Sequence, residues 1–188
     1  MKSHLEKINS LMHRLGEAEA AALQDISITK KLKKGEYLLR QGKVCRNSYT
    51  VKEGIARKYY LGDGKEITTE LFFENDIAVV FDSYCTQQPG REFIQAVTDT
   101  VVSQISHDAF REVKKTFPQL AELDLLLTEY YAMWLEERLF HFHTLTAPER
   151  YHLLLKEHPH ALRHIPLTII ASYLGISPET LSRIRAKF

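Results

Sequence analysis

Leu167-Thr-Ile-Ile-Ala-Ser-Tyr-Leu-Gly-Ile-Ser-Pro-Glu-Thr-Leu-Ser-Arg-Ile-Arg185 is the stretch that decides the fold of this 188-residue chain. Its first half sets Ile170, Ala171 and Leu174 on one helical face, and Ala171 is small enough for a second helix to cross closely. Gly175 can take the left-handed conformation that ends a helix, and Ile176 can plug the corner. Ser177 is a good N-cap and Pro178 a good first helical residue, so a new helix begins after a three-residue turn. Two short helices joined in this way have the geometry of a helix-turn-helix.

In the second helix Leu181, Ile184 and Phe188 fall on one face at i, i+3 and i+7, with Glu179, Ser182, Arg183 and Ala186 opposite. The outward groups are of the kind that read bases: arginine forks onto guanine, glutamate accepts from the amino group of cytosine, and serine bonds a base or a phosphate. Glu179, Ser182 and Arg183 are therefore the expected base-reading residues. Arg163, Thr180, Arg185 and Lys187 are expected to hold phosphates, which fixes position without choosing sequence. Residues 161–188 carry Arg163, Arg183, Arg185 and Lys187 against Glu179 alone, although the whole chain has a net charge of only +1. The bland alternative is a helical hairpin with a solvated charged face.

Upstream, Thr146-Ala-Pro-Glu-Arg reads as a helix start, with Thr146 as cap and Pro148 in the first turn. Residues 142–146 then form a hinge. Before the hinge, Pro118 opens a long helix in which Leu120, Leu123, Leu127, Tyr130 and Trp134 step by three and four, the expected seam with the same helix of a second chain. Leu126, Met133 and Phe140 run on another face, which predicts a second partner within the chain. Between Ile26 and Ile105 the pattern changes to short β-type runs separated by glycine, with Gly62-Asp63-Gly64 the clearest hairpin turn. Such spacing predicts an antiparallel roll or barrel. The first 22 residues carry an amphipathic helix or two, with Leu5, Ile8, Leu11, Met12 and Leu15 in helical period.

Composition narrows the function. With 44% hydrophobic and 26% charged residues the chain is of the soluble globular class, and no run approaches the roughly 20 apolar residues that cross a bilayer. The opening residues lack the apolar core of a signal peptide, so a cytoplasmic location and no membrane partner are expected. Cys45 and Cys85 are isolated and read as reduced thiols. Six of the nine histidines lie between His141 and His164, but His141-x-His143 and His158-x-His160 have no carboxylate or cysteine to complete a set, so no metal site is expected. A cupin-like metalloenzyme is the rival reading of the roll. It would take histidines from the strands, yet residues 25–106 contain none, so the chain is not expected to be an enzyme.

Taken with the glycines at 35, 42, 54, 62 and 64, the stretch 165–185 resembles the Crp/Fnr superfamily of bacterial transcription regulators along the whole chain. The resemblance implies an α+β fold. An N-terminal antiparallel β-roll of the cyclic-nucleotide-binding type, with lead-in helices, would span residues 1–115; a dimerisation helix would span 116–143; a small helix-turn-helix domain lacking a full terminal wing would span 144–188. It implies a homodimer on a pseudopalindromic duplex, with base contacts falling on Glu179 and Arg183, and RNA polymerase and a small-molecule effector as further partners. Two departures limit it. The cassette that holds cyclic AMP in the family, Gly-Glu-Leu followed by Arg-Ser/Thr-Ala, is replaced by Val79-Val80-Phe81 with no matching Arg-Ser-Ala. Cyclic AMP is therefore not expected; a candidate effector pocket lined by Val79, Val80, Phe81, Tyr84 and Arg91 would suit an apolar ligand or none. The cysteine cluster of the family's iron–sulfur members is missing from the first 44 residues, and no cofactor is expected. A non-DNA adaptor or regulatory subunit that senses a ligand through the roll remains the alternative from a different class.

Overall fold

The computed structural model describes residues 2–159 and 161–186. They fall into two compact units, Met1–Ser27 with Ile105–Leu145 and Ile28–Gln104 with Thr146–Phe188. The expected sensor, helix and C-terminal segments are thus grouped differently. The C-terminal helices share a unit with the roll, because they bury a common apolar cluster with it.

The roll contains β1 (Ser27–Leu32), β2 (Tyr37–Leu39), β3 (Asn47–Glu53), β4 (Ala56–Gly62), β5 (Lys65–Phe72), β6 (Ile77–Ala78), β7 (Phe93–Ala96) and β8 (Thr100–Ser106). They form two four-stranded sheets, in the orders β1-β8-β3-β6 and β2-β7-β4-β5. Alternation sends Tyr49 and Val51, Ile94 and Ala96, and Ala56 with Phe72 into one core beside Leu38, Leu39, Cys45, Val80 and Val102. The hairpin between β4 and β5 closes at the Gly62–Lys65 pair. Asp63 and Gly64 sit between them at φ 50° and 73°, the positive values that a two-residue turn matched to strand twist demands at both central positions. Gly54 is required for a different reason: it has φ +85°, and a Cβ there would lie 2.3 Å from the Asp99 carbonyl oxygen.

The helical unit holds α1 (Lys2–Arg14), α2 (Glu17–Asp25), α4 (His107–Thr116) and the 27-residue α5 (Pro118–Thr144). Ile8 and Leu11 of α1 cover Leu123, with Leu15, Leu126, Leu127 and Tyr130 packed against them. Leu120 is also fully buried. Part of the expected seam is taken up within the chain: Leu123 is buried against α1, with Leu127 and Tyr130 half-buried beside it, because α1 supplies an apolar stripe of its own. The open face of α5 carries Ala121, Leu125, Ala132, Leu135, Leu139 and Phe142 instead, with Thr128 half-buried among them. Trp134 is half-buried, stacked on Tyr131 at 5.9 Å with Arg138 over its ring.

The remaining elements belong to the roll's unit: α3 (Phe81–Thr86), α6 (Ala147–Glu157), a 3-10 turn (Ala161–His164), α7 (Leu167–Leu174) and α8 (Pro178–Arg185). Short β6 and α3 were not anticipated; two and six residues are too few for periodicity to register.

Candidate nucleic-acid interface

The helix-turn-helix is assembled as its residue types dictate. Thr146 caps α6 in a reciprocal pair with Glu149, whose carboxylate accepts from the Thr146 N–H at 2.8 Å. Ile170, Ala171 and Leu174 of α7 pack with Leu181 and Ile184 of α8 and with Tyr151 and Leu154 of α6. Gly175 turns the chain at φ 68°, and the Ser177 hydroxyl accepts from the Thr180 N–H at 3.2 Å to start α8. The Arg150 guanidinium donates to the Leu174 carbonyl at 3.0 Å, satisfying one of the open acceptors at the end of α7.

α8 carries five of the expected DNA contacts, Glu179, Thr180, Ser182, Arg183 and Arg185. Arg183 lies back along the helix, its Nε 3.4 Å from the Glu179 carbonyl and its Nη2 3.4 Å from the Thr180 hydroxyl. A hydrogen bond from the Ser177 hydroxyl holds the Glu179 carboxyl below its usual range. It stands ionised as an acceptor. Ser182 is exposed beside them, as are Arg185 and, in the 3-10 turn, Arg163. Lys187 and Phe188 lie outside the described residues.

The candidate effector segment is spent on packing. Val80 is 1% exposed in the roll core, with Val79 and Tyr84 against it. The Ser83 hydroxyl ties α3 down, accepting from the Cys45 N–H at 2.9 Å and donating to the Gln88 carbonyl. Phe81 is half-buried, and Arg91 is exposed. The interior beside this segment is not apolar. Lys58 and Glu70 form an ion pair on the inner face of β4 and β5, with side chains only 4% and 7% exposed, and Lys58 Nζ lies 3.5 Å from the Val79 carbonyl. Neither residue was singled out by the sequence. Lys58 sits beside Arg57 and Glu70 next to Thr69, which reads as a solvated strand.

A second feature escaped the sequence as well. β5 is the edge of its sheet, and Ser172 of α7 closes that edge. Its hydroxyl accepts from the Thr68 N–H at 2.8 Å and donates to the Glu66 carbonyl at 2.9 Å. Around this contact Ile55, Leu71 and Val97 of the roll bury themselves with the α6–α8 core. His158 stacks on Phe73 with ring centroids 3.7 Å apart. A mid-helix serine gives no hint of this role, because the partner strand lies about a hundred residues away.

Comparison with known proteins agrees with this architecture. Residues 29–117 match the cyclic nucleotide-binding domain. The chain is 27% identical to the anaerobic regulatory protein of Haemophilus influenzae, over 93% of this chain and 72% of that one. It is 26% identical to the fumarate and nitrate reduction regulatory protein of Vibrio cholerae, over 93% and 74%. Among solved structures, FixK2 from Bradyrhizobium japonicum superimposes with a TM-score of 0.73 at 21% identity, covering 86% of this chain and 84% of that one. A chain from Eubacterium rectale assigned to the Crp/Fnr family of transcriptional regulators gives 0.66 at 25% identity, covering 95% and 85%. A cyclic-nucleotide-type roll joined to a long helix and a C-terminal helix-turn-helix defines a class of regulators. The likenesses to curated relatives and solved structures support a Crp/Fnr-type regulator.

Proposed function

We propose that this regulator binds duplex DNA as a homodimer, each protomer reading half of a pseudopalindrome through Glu179, Ser182 and Arg183. Arg163, Thr180, Arg185 and Lys187 hold the flanking phosphates. The observation that carries the reading is the outward face of α8, where an ionised Glu179 and Arg183 stand together above a core closed by Leu181 and Ile184. Arginine on guanine and glutamate on cytosine give sequence choice, whereas contacts to phosphate give only position. The two-fold axis runs along the exposed apolar face of α5. Leu125, Leu135 and Leu139, between 42% and 59% exposed, are offered there at coiled-coil spacing. A place beside the chromosome, in the cytoplasm, goes with this activity. So does a role for RNA polymerase as a transcription partner.

The test is selection of a site from a random duplex pool, followed by titration of wild type, Arg183→Ala and Arg185→Ala on selected and scrambled duplexes at one salt concentration. Arg183→Ala should cost about 1–3 kcal/mol on the selected duplex and relax one position per half-site, while Arg185→Ala weakens both duplexes alike. Equal loss on both duplexes for Arg183→Ala would make it a phosphate contact. No enrichment of any sequence would refute the reading.

A further inference from the structure

We propose that Thr180 is a positioning residue for base reading: its hydroxyl, fixed by Ser177, holds the Arg183 guanidinium with the outer end of the group turned to the base. The proposal rests on the DNA-binding reading above and gives Thr180 a task beyond the phosphate contact named there. Spacing sets up the contact, because residues three and four apart share one face of a helix. Arg183 Nη2 lies 3.4 Å from the Thr180 hydroxyl, and Nε lies 3.4 Å from the Glu179 carbonyl. One edge of the guanidinium is thus turned back on the helix.

The Thr180 hydroxyl is itself fixed. It lies 3.2 Å from the Ser177 hydroxyl, which also accepts from the Thr180 N–H at 3.2 Å. Two heavy atoms on Cβ make threonine stiff at χ1, and Thr180 is half-buried where Ser177, Glu179 and Arg183 are exposed. A hydroxyl has one proton and two lone pairs. The Thr180 oxygen can accept from Arg183 while its proton goes to Ser177 or, on a duplex, to a phosphate; the Ser177 proton goes on to the Glu179 carboxyl. Donors then point one way, from Arg183 through Thr180 and Ser177 to Glu179, and bonds in such a chain polarise one another. The two charged side chains that read bases are joined through the helix cap.

A guanidinium carries five N–H donors in a rigid plane. One on Nε and one on Nη2 are taken by the helix. Those left on Nη1 and Nη2 include the end-on pair that forks onto O6 and N7 of guanine. Without the Thr180 hydroxyl the long side chain keeps more of its rotamers until a base orders it, and that ordering counts against the complex. Only a duplex that offers guanine orders Arg183 in this way. The cost therefore falls on the selected site alone and shows as lost discrimination, whereas a lost phosphate contact weakens every sequence alike.

The test uses the full chain, the duplex selected from a random pool, and a second duplex in which the guanine that Arg183→Ala ceases to prefer is exchanged for adenine in each half-site. Affinities are read at one salt concentration, since phosphate contacts dominate their absolute values. Thr180→Val keeps the shape, removes the hydroxyl, and should shrink the affinity ratio between the two duplexes about 2- to 12-fold per half-site, the worth of one hydrogen bond. Thr180→Ser should keep the wild-type ratio. Ser177→Gly retains a favourable N-cap residue but releases the Thr180 hydroxyl, and should shrink the ratio in the same direction. Adding Thr180→Val to Arg183→Ala should leave the ratio where Arg183→Ala put it. Equal loss of affinity for both duplexes in Thr180→Val overturns the proposal and makes Thr180 a phosphate contact alone. A lowered melting temperature with an unchanged ratio overturns it in favour of a structural role, and so does a Thr180→Ser protein that behaves like Thr180→Val. If wild type selects no site, the DNA reading itself falls; if it selects one and Arg183→Ala or Thr180→Val discriminates as wild type does, only the positioning role falls.

Discussion

Leu139→Ala should dissociate the dimer without unfolding the chain. Leu139 is 59% exposed on α5, and complete burial of a leucine side chain is worth about 1.5–3 kcal/mol. Covering the exposed part therefore contributes about 1–2 kcal/mol, and two-fold symmetry counts it twice. Truncation forfeits most of that. At 1.4 kcal/mol per decade, the dimer dissociation constant should rise about 20- to 300-fold. Leu120→Ala is the contrasting change. Leu120 is fully buried within the chain, so its truncation should cost about 2–5 kcal/mol of folding stability while the dimer constant of the folded protein stays put. Sedimentation equilibrium over a range of concentrations reads the first quantity, and urea melts read the second. If Leu139→Ala keeps the wild-type dissociation constant while Leu127→Ala or Tyr130→Ala raises it, the interface lies on the face that α1 covers, and the reasoning from exposure fails.

Other sites give sharper local tests. Ser172→Ala should strand the Thr68 N–H and the Glu66 carbonyl at the sheet edge, at a cost of about 1–3 kcal/mol; hydrogen exchange at Thr68 should quicken, and an unchanged exchange rate would mean that water replaces the serine freely. Lys58→Met should cost about 3–5 kcal/mol by leaving Glu70 buried without its partner, and Lys58→Met/Glu70→Met should recover most of it. Thermal melts that find the double change no better than the single one would contradict this. The Lys33 ammonium first, and the Lys34 N–H next, hold the Asp99 carboxyl below its usual range. The stability that Asp99 contributes is thus present above the unfolded carboxylate value of about 3.9 and is lost as pH falls through its lower folded value. Asp99→Asn should flatten the acid limb of a pH–stability curve and also remove from its basic limb the loss that accompanies deprotonation of Lys33, whose ammonium Asp99 holds above its usual range.

The parts that sequence reveals are those where a local rule and the tertiary outcome coincide. Gly175, Ser177 and Pro178 announce the turn because backbone conformation and capping act within four residues. Gly62-Asp63-Gly64 announces its hairpin for the same reason. The face of α5 is less legible, since two apolar stripes of similar strength run along it and periodicity cannot say which one α1 covers. Ser172 and the Lys58–Glu70 pair were hidden altogether. Their meaning depends on residues brought together from distant parts of the chain, and neither serine in a helix nor lysine in a strand departs from what solvent exposure would produce. The candidate effector segment was legible as a departure from the family's cassette, but its new contents were not.

β5 connects what the roll's interior holds with what the DNA-binding helices rest on. Successive strand residues point to opposite faces. Glu70 enters the ion pair inside the roll, while Leu71 joins the cluster shared with α6–α8 and Thr68 bonds to Ser172. Lys58 and Glu70 compensate each other's charge inside the roll, so a change that separates them costs several kcal/mol. Any shift of Glu70 moves Leu71 and Thr68 as well, because they lie beside it on one strand. The helix pair that carries Arg183 rests on those two residues, so the contacts that join interior to recognition helix run through Thr68, Glu70 and Leu71 of one strand and a single serine hydroxyl.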